Sequence, residues 1–335
     1  MIRMPKQYKQ ALSKYSFIDL FCGIGGFHLA LGSFGAKCVF ASDIDSEARK
    51  IYNANFQFEP QGDIRDIDNT DIPDHDILCG GFPCQAFSVS GTQAGFDDEK
   101  TGKLFFEILR IAKHHKPKVI ILENVANLNA HNDGKTITTI ITSLEKIGYC
   151  VCKDVLSAVD YNIPQCRKRL YIVAFRNDLK ITKFSFPERI TLKKRLEDFL
   201  EDSTAKHIHN YTINRDYTIR ANHQLIEKNC KKPYIRIGEI GLGRQGERIY
   251  SIKGCAATLS STGGGLGGRT GIYLIDGKIR KLTPRECARL MGFPDKFQIA
   301  ETANQAYQQF GNSVVVNVLQ QIIIEVIKSL DGGTL

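Results

Sequence analysis

The stretch GGFPCQAFSVS places Cys84 directly after Pro83 and just past the apolar run HDILCGGF. Proline fixes its own backbone angle, so the thiol stands on a stiffened segment where a strand gives out. A thiol ionises near pH ~8.5 and attacks only as thiolate; backbone amides in the small-residue loop that follows could assist. Glu123 closes another apolar run, KVIILENV. Two parallel strands ending at one rim would deliver a thiol and a carboxyl group to the face where such sheets bind ligands. That pair suits addition to an electron-poor ring: sulfur adds to a carbon, and the acid protonates a ring nitrogen. Taken alone, Cys84 also reads as a buried small hydrophobe, and Glu123 as a helix cap or salt-bridged acid. His114 and His115 fall at a helix end as solvated caps, so no thiol–imidazole protease pattern is evident.

A second group surrounds FIDLFCGIGGF. A glycine-rich turn between a strand and a helix offers backbone N–H groups and close approach to a ligand. The spacing is GxGG, with His28 where a third glycine of a dinucleotide fingerprint would stand. Asp43 ends the next strand, where a carboxylate can take both ribose hydroxyls. Asp63, in GDI, could accept from an adenine amino group. Together these three features suggest an adenosine-containing ligand; the turn alone reads equally as a tight strand–helix connection. In YNIPQCRKRLYIV, alternation puts Arg167 and Arg169 on one strand face. Their planar guanidinium groups match a carboxylate or phosphate, and an exposed basic edge strand is the plainer alternative.

The elements that must position these groups follow strand–helix alternation. YSFIDLF and KCVFASD read as strands, and GGFHLALGSFG and DSEARKIYNANF as helices, the latter opening on an acidic cap. LFFEILRIAKHHK has helical spacing between two further apolar runs. The pattern predicts an α/β fold with a doubly wound, mostly parallel sheet. After about Phe186 it breaks into short strands, glycine loops and charge runs, the mark of a smaller, irregular β-rich domain. Val314, Val315, Val318, Leu319, Ile322, Ile323 and Val326 then form one helical stripe. That stripe predicts a return of the C-terminus to the first domain. The expected division is 1–185, 186–300 and 301–335.

The 335 residues are 42% hydrophobic, enough for a sizeable core. No run of ~18 apolar residues predicts a membrane span, and the basic N-terminus lacks a signal-peptide apolar region. Ten cysteines without a CxxC pair predict neither disulfides nor a zinc site and fit a reducing, cytoplasmic setting. The net charge of +9 is concentrated: residues 180–281 hold 20 Lys and Arg against 10 Asp and Glu. A basic module beside a neutral one suggests a polyanion partner, or simply a soluble basic surface.

DLFCGIGG, GFPCQAFS, ENV, QCRKR, RECARLMGFP and QFGNSV occur in an order that resembles the DNA (cytosine-5) methyltransferases, and among them the short bacterial restriction–modification enzymes. The resemblance covers almost the whole chain. It implies the S-adenosylmethionine-dependent methyltransferase fold, a target-recognition domain over 186–300, and S-adenosyl-L-methionine as cofactor. It implies Cys84 as nucleophile on C6 of a flipped cytosine, Glu123 as the acid at N3, and Arg167, with Arg169 close by, orienting Glu123 and the base. The implied cofactor residues are Phe21, Gly23, Ile24, Gly25, Gly26, Asp43, Ile44, Asp63, Ile64, Pro83, Leu104, Asn312, Ser313 and Val314. Two positions depart from the family's pattern: Ile44 stands where an aromatic residue often stacks on adenine, and Thr101 where an arginine often precedes the loop glycine.

RQGERIY and TLSSTGGGLGGRTGIYL extend the resemblance into the recognition region. Glycines let backbone approach a groove. Arg244 and Arg248 could bridge guanine O6 and N7, Gln245 could fill the gap left by the extruded base, and Ser90 could hold DNA as its loop closes. Thr258 and Gly265 complete the DNA-binding set that the resemblance implies. The expected substrate is double-stranded DNA bearing a short G+C-rich palindrome such as GCGC. The expected enzyme is a monomer that forms no stable complex with its cognate endonuclease. A tRNA cytosine methyltransferase, a nicotinamide dehydrogenase and a non-catalytic DNA-binding protein are the rival readings.

Overall fold

A computed structural model of the chain describes residues 6–82, 104–181, 184–229, 232–263 and 265–332. Runs of Ile, Val, Leu and Phe form a six-stranded sheet from β1 (Ser16–Leu20), β2 (Lys37–Ser42), β3 (Ile77–Gly80), β4 (Val119–Val125), β5 (Tyr149–Ser157) and β6 (Lys168–Arg176), ordered β2-β1-β3-β4-β6-β5. β1 runs parallel to β2 and to β3, and β3 to β4. β6 is antiparallel to β4.

Helices cover both faces. Ile18 and Leu20 of β1 share a buried cluster with Phe105, Ile108 and Ile111 of α3 (Leu104–His115) and Ile137, Ile140 and Leu144 of α4 (Lys135–Lys146). Alternation turns Phe17 to the other face. There its ring meets His28 of α1 (Gly26–Gly32) edge-on at 5.4 Å. α2 (Ser46–Phe56) starts where the Asp45 carboxylate accepts the N–H groups of Glu47 and Ala48, at 2.9 and 3.2 Å, satisfying donors the helix leaves open. The chain thus has an α/β unit built on a sheet whose β1–β4 run parallel, as its sequence predicts.

Clustering of the chain gives two units: residues 2–156, 168–188 and 318–335 in one, and 157–167 with 189–317 in the other. The second holds a five-stranded sheet of β7 (Tyr217–Ile219), β8 (Arg236–Ile240), β9 (Arg248–Ser251), β10 (Ile272–Ile275) and β11 (Lys278–Arg280), ordered β11-β10-β9-β8-β7. Its core is nearly all isoleucine: Ile235, Ile237, Ile240, Ile249, Ile272 and Ile279. β-Branched side chains fit a pleated, half-buried surface. α5 (His223–Asn229), α6 (Pro284–Leu290) and α7 (Ala303–Asn312) belong to the same unit.

α8 (Val316–Leu330) carries the predicted stripe, and from Val318 onward it belongs to the first unit. There Gln320 Nε2 donates to Ser33 Oγ at 3.1 Å. By length and hydropathy, residues 303–330 could cross a membrane, an exception to the sequence expectation. Yet 67% of its most apolar stretch is buried inside the protein, as in a core helix.

In the second unit, Arg280 and Glu286 form a two-point ion pair at 2.7 and 2.8 Å, with side chains 3% and 0% exposed. Glu286 also accepts the N–H groups of Thr283 and Glu201 at 2.8 and 3.0 Å. Removing one partner of such a pair strands a buried charge. Glu286→Ala should therefore lower the unfolding free energy by about 3–5 kcal/mol, measured by urea titration. The apolar double variant Arg280→Met, Glu286→Leu should regain much of the loss.

Candidate active site

Glu123 lies near the carboxyl end of β4 and is 7% exposed. Because β6 runs antiparallel, Glu123 faces Tyr171 and Val125 faces Arg169. Arg169 therefore stands diagonally across from Glu123 on one face, within reach of a long side chain. Its Nε is 3.0 Å from Glu123 Oε1. The other oxygen turns toward Gly81, where an added Cβ would stand 3.6 Å from Oε2. Asn124 ties the same segment down, its Nδ2 donating to the Phe82 carbonyl at 3.0 Å. The carboxyl group is thus fixed beside the chain three residues ahead of Cys84. Pro83, Cys84, Ser90 and Thr101 themselves lie outside the described residues.

The alternation argument places Arg167 on the strand with Arg169, but β6 begins at Lys168. Arg167 sits one residue before it, its N–H bonded to the Gln165 carbonyl at 2.8 Å. The side chain is 2% exposed. Nη1 donates to the Leu259 carbonyl at 2.9 Å, and Nη2 to those of Gly311 and Ser313 at 2.9 and 2.6 Å. Sequence reasoning missed this framework role, since carbonyl partners leave no side-chain signature.

The glycine turn follows β1. Phe21, Gly23 and Gly25 all have positive φ, at 55°, 53° and 86°. An added Cβ at Gly23 would meet nothing within 4 Å, so the turn is open to a ligand there. Asp43 leaves the end of β2 and accepts the N–H of Gly23 on Oδ2 at 2.7 Å and that of Asp45 on Oδ1 at 2.8 Å. Each oxygen keeps a free lone pair. Burial pushes the Asp43 acid up, and the two backbone N–H groups hold it down. Ile44, the next residue, is 69% exposed, an apolar surface with no partner in the core. An open turn, a fixed carboxylate and an exposed apolar residue fit an adenosine-containing group.

The remaining predicted cofactor residues divide. Ile24 and Ile64 are buried core residues, as is Leu104 at the start of α3. Gly26 begins α1. Asp63 is already engaged: it caps a short helical turn through Arg65 N–H at 3.0 Å and pairs with the Arg65 guanidinium, which holds its acid below the carboxylate range. An adenine amino group would have to share it. In the second unit, Asn312 ends α7 exposed, Ser313 caps the helix, and Val314 is buried.

Sequence reasoning also missed Asp19, on β1 beneath the turn. It is fully buried, and burial pushes its acid well above the carboxylate range. It takes a hydrogen bond from the His28 backbone. His28 itself stacks on Phe56 at 3.9 Å and meets Tyr52 Oη at 2.8 Å.

The predicted DNA-binding residues among the described ones fall in the second unit. Arg244 and Gln245 are exposed, and Arg248 opens β9 with its buried Nε unpartnered. Gly265 has φ +75° and Thr258 donates to the Cys166 carbonyl. The loops are joined where Gly267 N–H donates to the Gly246 carbonyl at 2.9 Å. Among the described residues, no group of three or more His, Cys, Asp or Glu side chains is placed to hold a metal ion.

A family model described as C-5 cytosine-specific DNA methylase matches residues 15–328. Type II methyltransferase M.HhaI of Haemophilus parahaemolyticus is 49% identical over 321 residues, covering 96% of this chain and 96% of that protein. Type II methyltransferase M.HpaII of Haemophilus parainfluenzae is 38% identical, covering 94% and 90%. Among solved structures, the Dnmt2 methyltransferase of S. pombe superposes with a TM-score of 0.70 at 22% identity, covering 96% of this chain and all of that one; that likeness concerns the fold.

Burial pushes the imidazoles of His28 and His75 down to about 4. An unfolded histidine titrates near ~6.5. Between those values the unfolded chain takes up protons that the folded one does not, so stability is retained above the upper value and lost as pH falls. From about pH 7.5 to about pH 5 each histidine should remove about 2 kcal/mol. His28→Gln should shrink the difference in unfolding free energy between the two pH values by about that amount. Taking the difference cancels the variant's own cost.

Proposed function

The chain belongs to the C-5 cytosine-specific DNA methylase family, and from that premise we propose that it methylates a flipped cytosine in a short G+C-rich palindrome such as GCGC, through a covalent adduct with Cys84. The enzyme is a DNA (cytosine-5) methyltransferase of the type II restriction–modification kind. The observation that carries the mechanism is the placement of the Glu123 carboxyl group, paired with Arg169 through Oε1 and lying beside Gly81, three residues ahead of Cys84.

The target cytosine must leave the stack to be reached. The Cys84 thiolate adds to C6, and Glu123 places a proton or hydrogen bond on N3. Addition makes C5 electron-rich. S-Adenosylmethionine, which the family uses, supplies an electrophilic methyl group when bound. After transfer, the C5 proton leaves to a base, the C6–sulfur bond breaks, and the thiolate is regenerated; two easier steps replace one hard one. Asp43 would take the ribose hydroxyls, the turn from Phe21 to Gly26 would lie along the cofactor, and Ile44 would cover the adenine in place of an aromatic ring. Asp63, Ile64, Pro83, Leu104, Asn312, Ser313 and Val314 complete the proposed cofactor set.

Residues 189–317 supply the proposed target recognition. Arg244 and Arg248 read guanine, Gln245 fills the vacated position, and Thr258, Gly265 and Ser90 contact the backbone or flanking groups. The unpartnered Nε of Arg248 supports this reading, since a buried donor without a partner is costly until a ligand accepts from it. We further propose that the enzyme acts as a cytoplasmic monomer, one strand of the palindrome per binding event, without a stable endonuclease complex.

Plasmid from cells expressing the enzyme should resist endonucleases blocked by methylation at GCGC, and bisulfite sequencing should place the modification there. Full cleavage, with methylation at another sequence, discards that site. A duplex with 5-fluorocytosine at the target should trap the enzyme covalently, because fluorine cannot leave as a proton does. Cys84→Ser should abolish trapping. Glu123→Gln should slow methyl transfer by about 10²–10⁴-fold while leaving DNA binding in gel-shift assays intact.

A further inference from the structure

Leu242 is 83% exposed, more than any other large apolar side chain among the described residues. It occupies a corner of the tight turn closed by Gly243 N–H donating to the Ile240 carbonyl at 3.0 Å. Its neighbours Gly241 and Gly243 have φ of +53° and +66°, angles that side-chain-bearing residues rarely adopt. Gly243 is buried against the Arg236–Glu239 ion pair, with no room for a Cβ. The turn is therefore seated firmly at the end of β8, and its backbone is set to hold the leucine outward. Arg244 and Gln245 follow at once, both exposed, and the far side of the loop is tied to the second glycine loop through Gly246.

From this geometry, and resting on the proposed role of these loops in reading DNA, we propose that Leu242 reads a pyrimidine C5-methyl group in the major groove next to the target cytosine. Guanidinium and amide groups match the donors and acceptors on base edges. The apolar feature those edges present in the major groove is the C5-methyl group. An apolar side chain held rigidly beside polar readers has that group as its chemical complement. The methyl has two sources: thymine in a flanking pair, or 5-methylcytosine already formed on the opposite strand of the palindrome. The first extends the recognised sequence, and the second favours completion of half-modified sites.

Three duplexes built around the site returned by bisulfite sequencing distinguish the outcomes. One is methyl-free, with uracil for flanking thymine. One adds 5-methylcytosine on the opposite strand. One restores flanking thymine. The full-length enzyme should favour one methyl-bearing duplex in kcat/KM by about fourfold, the worth of one buried methyl group. Preference for the second duplex identifies 5-methylcytosine, and preference for the third identifies thymine. In Leu242→Ala and Leu242→Asn the ratio should fall toward one; each ratio is internal to its variant, so altered expression or stability cancels. Equal rates on all three duplexes by the unaltered enzyme overturn the inference, as does a preference that survives in both variants. Absence of transfer to every duplex would overturn the functional reading as well.

Discussion

The antiparallel pairing of β6 with β4, beside the parallel β1, β3 and β4, decides what reaches the rim. In β1, β3 and β4 the carboxyl ends gather on one side, so only residues at strand ends, such as Glu123, can face a ligand there. Had β6 run parallel to β4, its first residues would lie at the opposite edge. Running antiparallel, it sets Arg169, its second residue, beside the end of β4. The resulting ion pair is largely buried, with side chains 16% and 8% exposed. Such a pair stabilises a fold weakly, because the desolvation of both charges offsets their attraction. Its effect is geometric: it fixes where the carboxyl group stands at the end of β4.

The glycine turn obeys a different constraint. Its backbone must approach a ligand closely, so the donors and acids near it cannot be screened by bulky side chains. Asp43 resolves this by accepting two backbone N–H groups, which fix a carboxylate at the rim without a cation. Beneath it burial works against charge: it pushes the Asp19 acid up and the His28 imidazole down to about 4, because a charge deep in the fold is costly. The polar residues under the turn thus hold its shape while leaving the rim as the charged surface.

Much of this was legible in the sequence, for identifiable reasons. Glu123 and Asp43 announced themselves because each ends a strand-length apolar run, and strand ends are readable from pattern. The C-terminal helix was legible from its stripe. The stretch around Arg167 was misread because period-two reasoning presupposes a strand, and the chain instead turns between Gln165 and Arg167 before β6 begins. Asp63 was read as free for a ligand, yet Arg65, two residues on, engages it in the turn. Asn124 and Asp19 left no signal: one bonds a carbonyl 42 positions away, and the other gains its character from burial alone.

Arg167 shows how one buried guanidinium can hold distant backbone segments together. It gathers three carbonyls from segments far apart in sequence: Leu259, after β9, and Gly311 and Ser313, at the end of α7. Carbonyls at a helix C-terminus lack internal partners and carry partial negative charge, so a buried cation is well placed there. Gly311 permits the approach, since any Cβ would collide with the backbone at Ser260 and Ser261. Lysine could supply the charge but not the planar fork that reaches carbonyls in two directions. The segment bearing Thr258 and the segment bearing Asn312 and Ser313 therefore share one anchor, so neither can shift without breaking bonds that also hold the other.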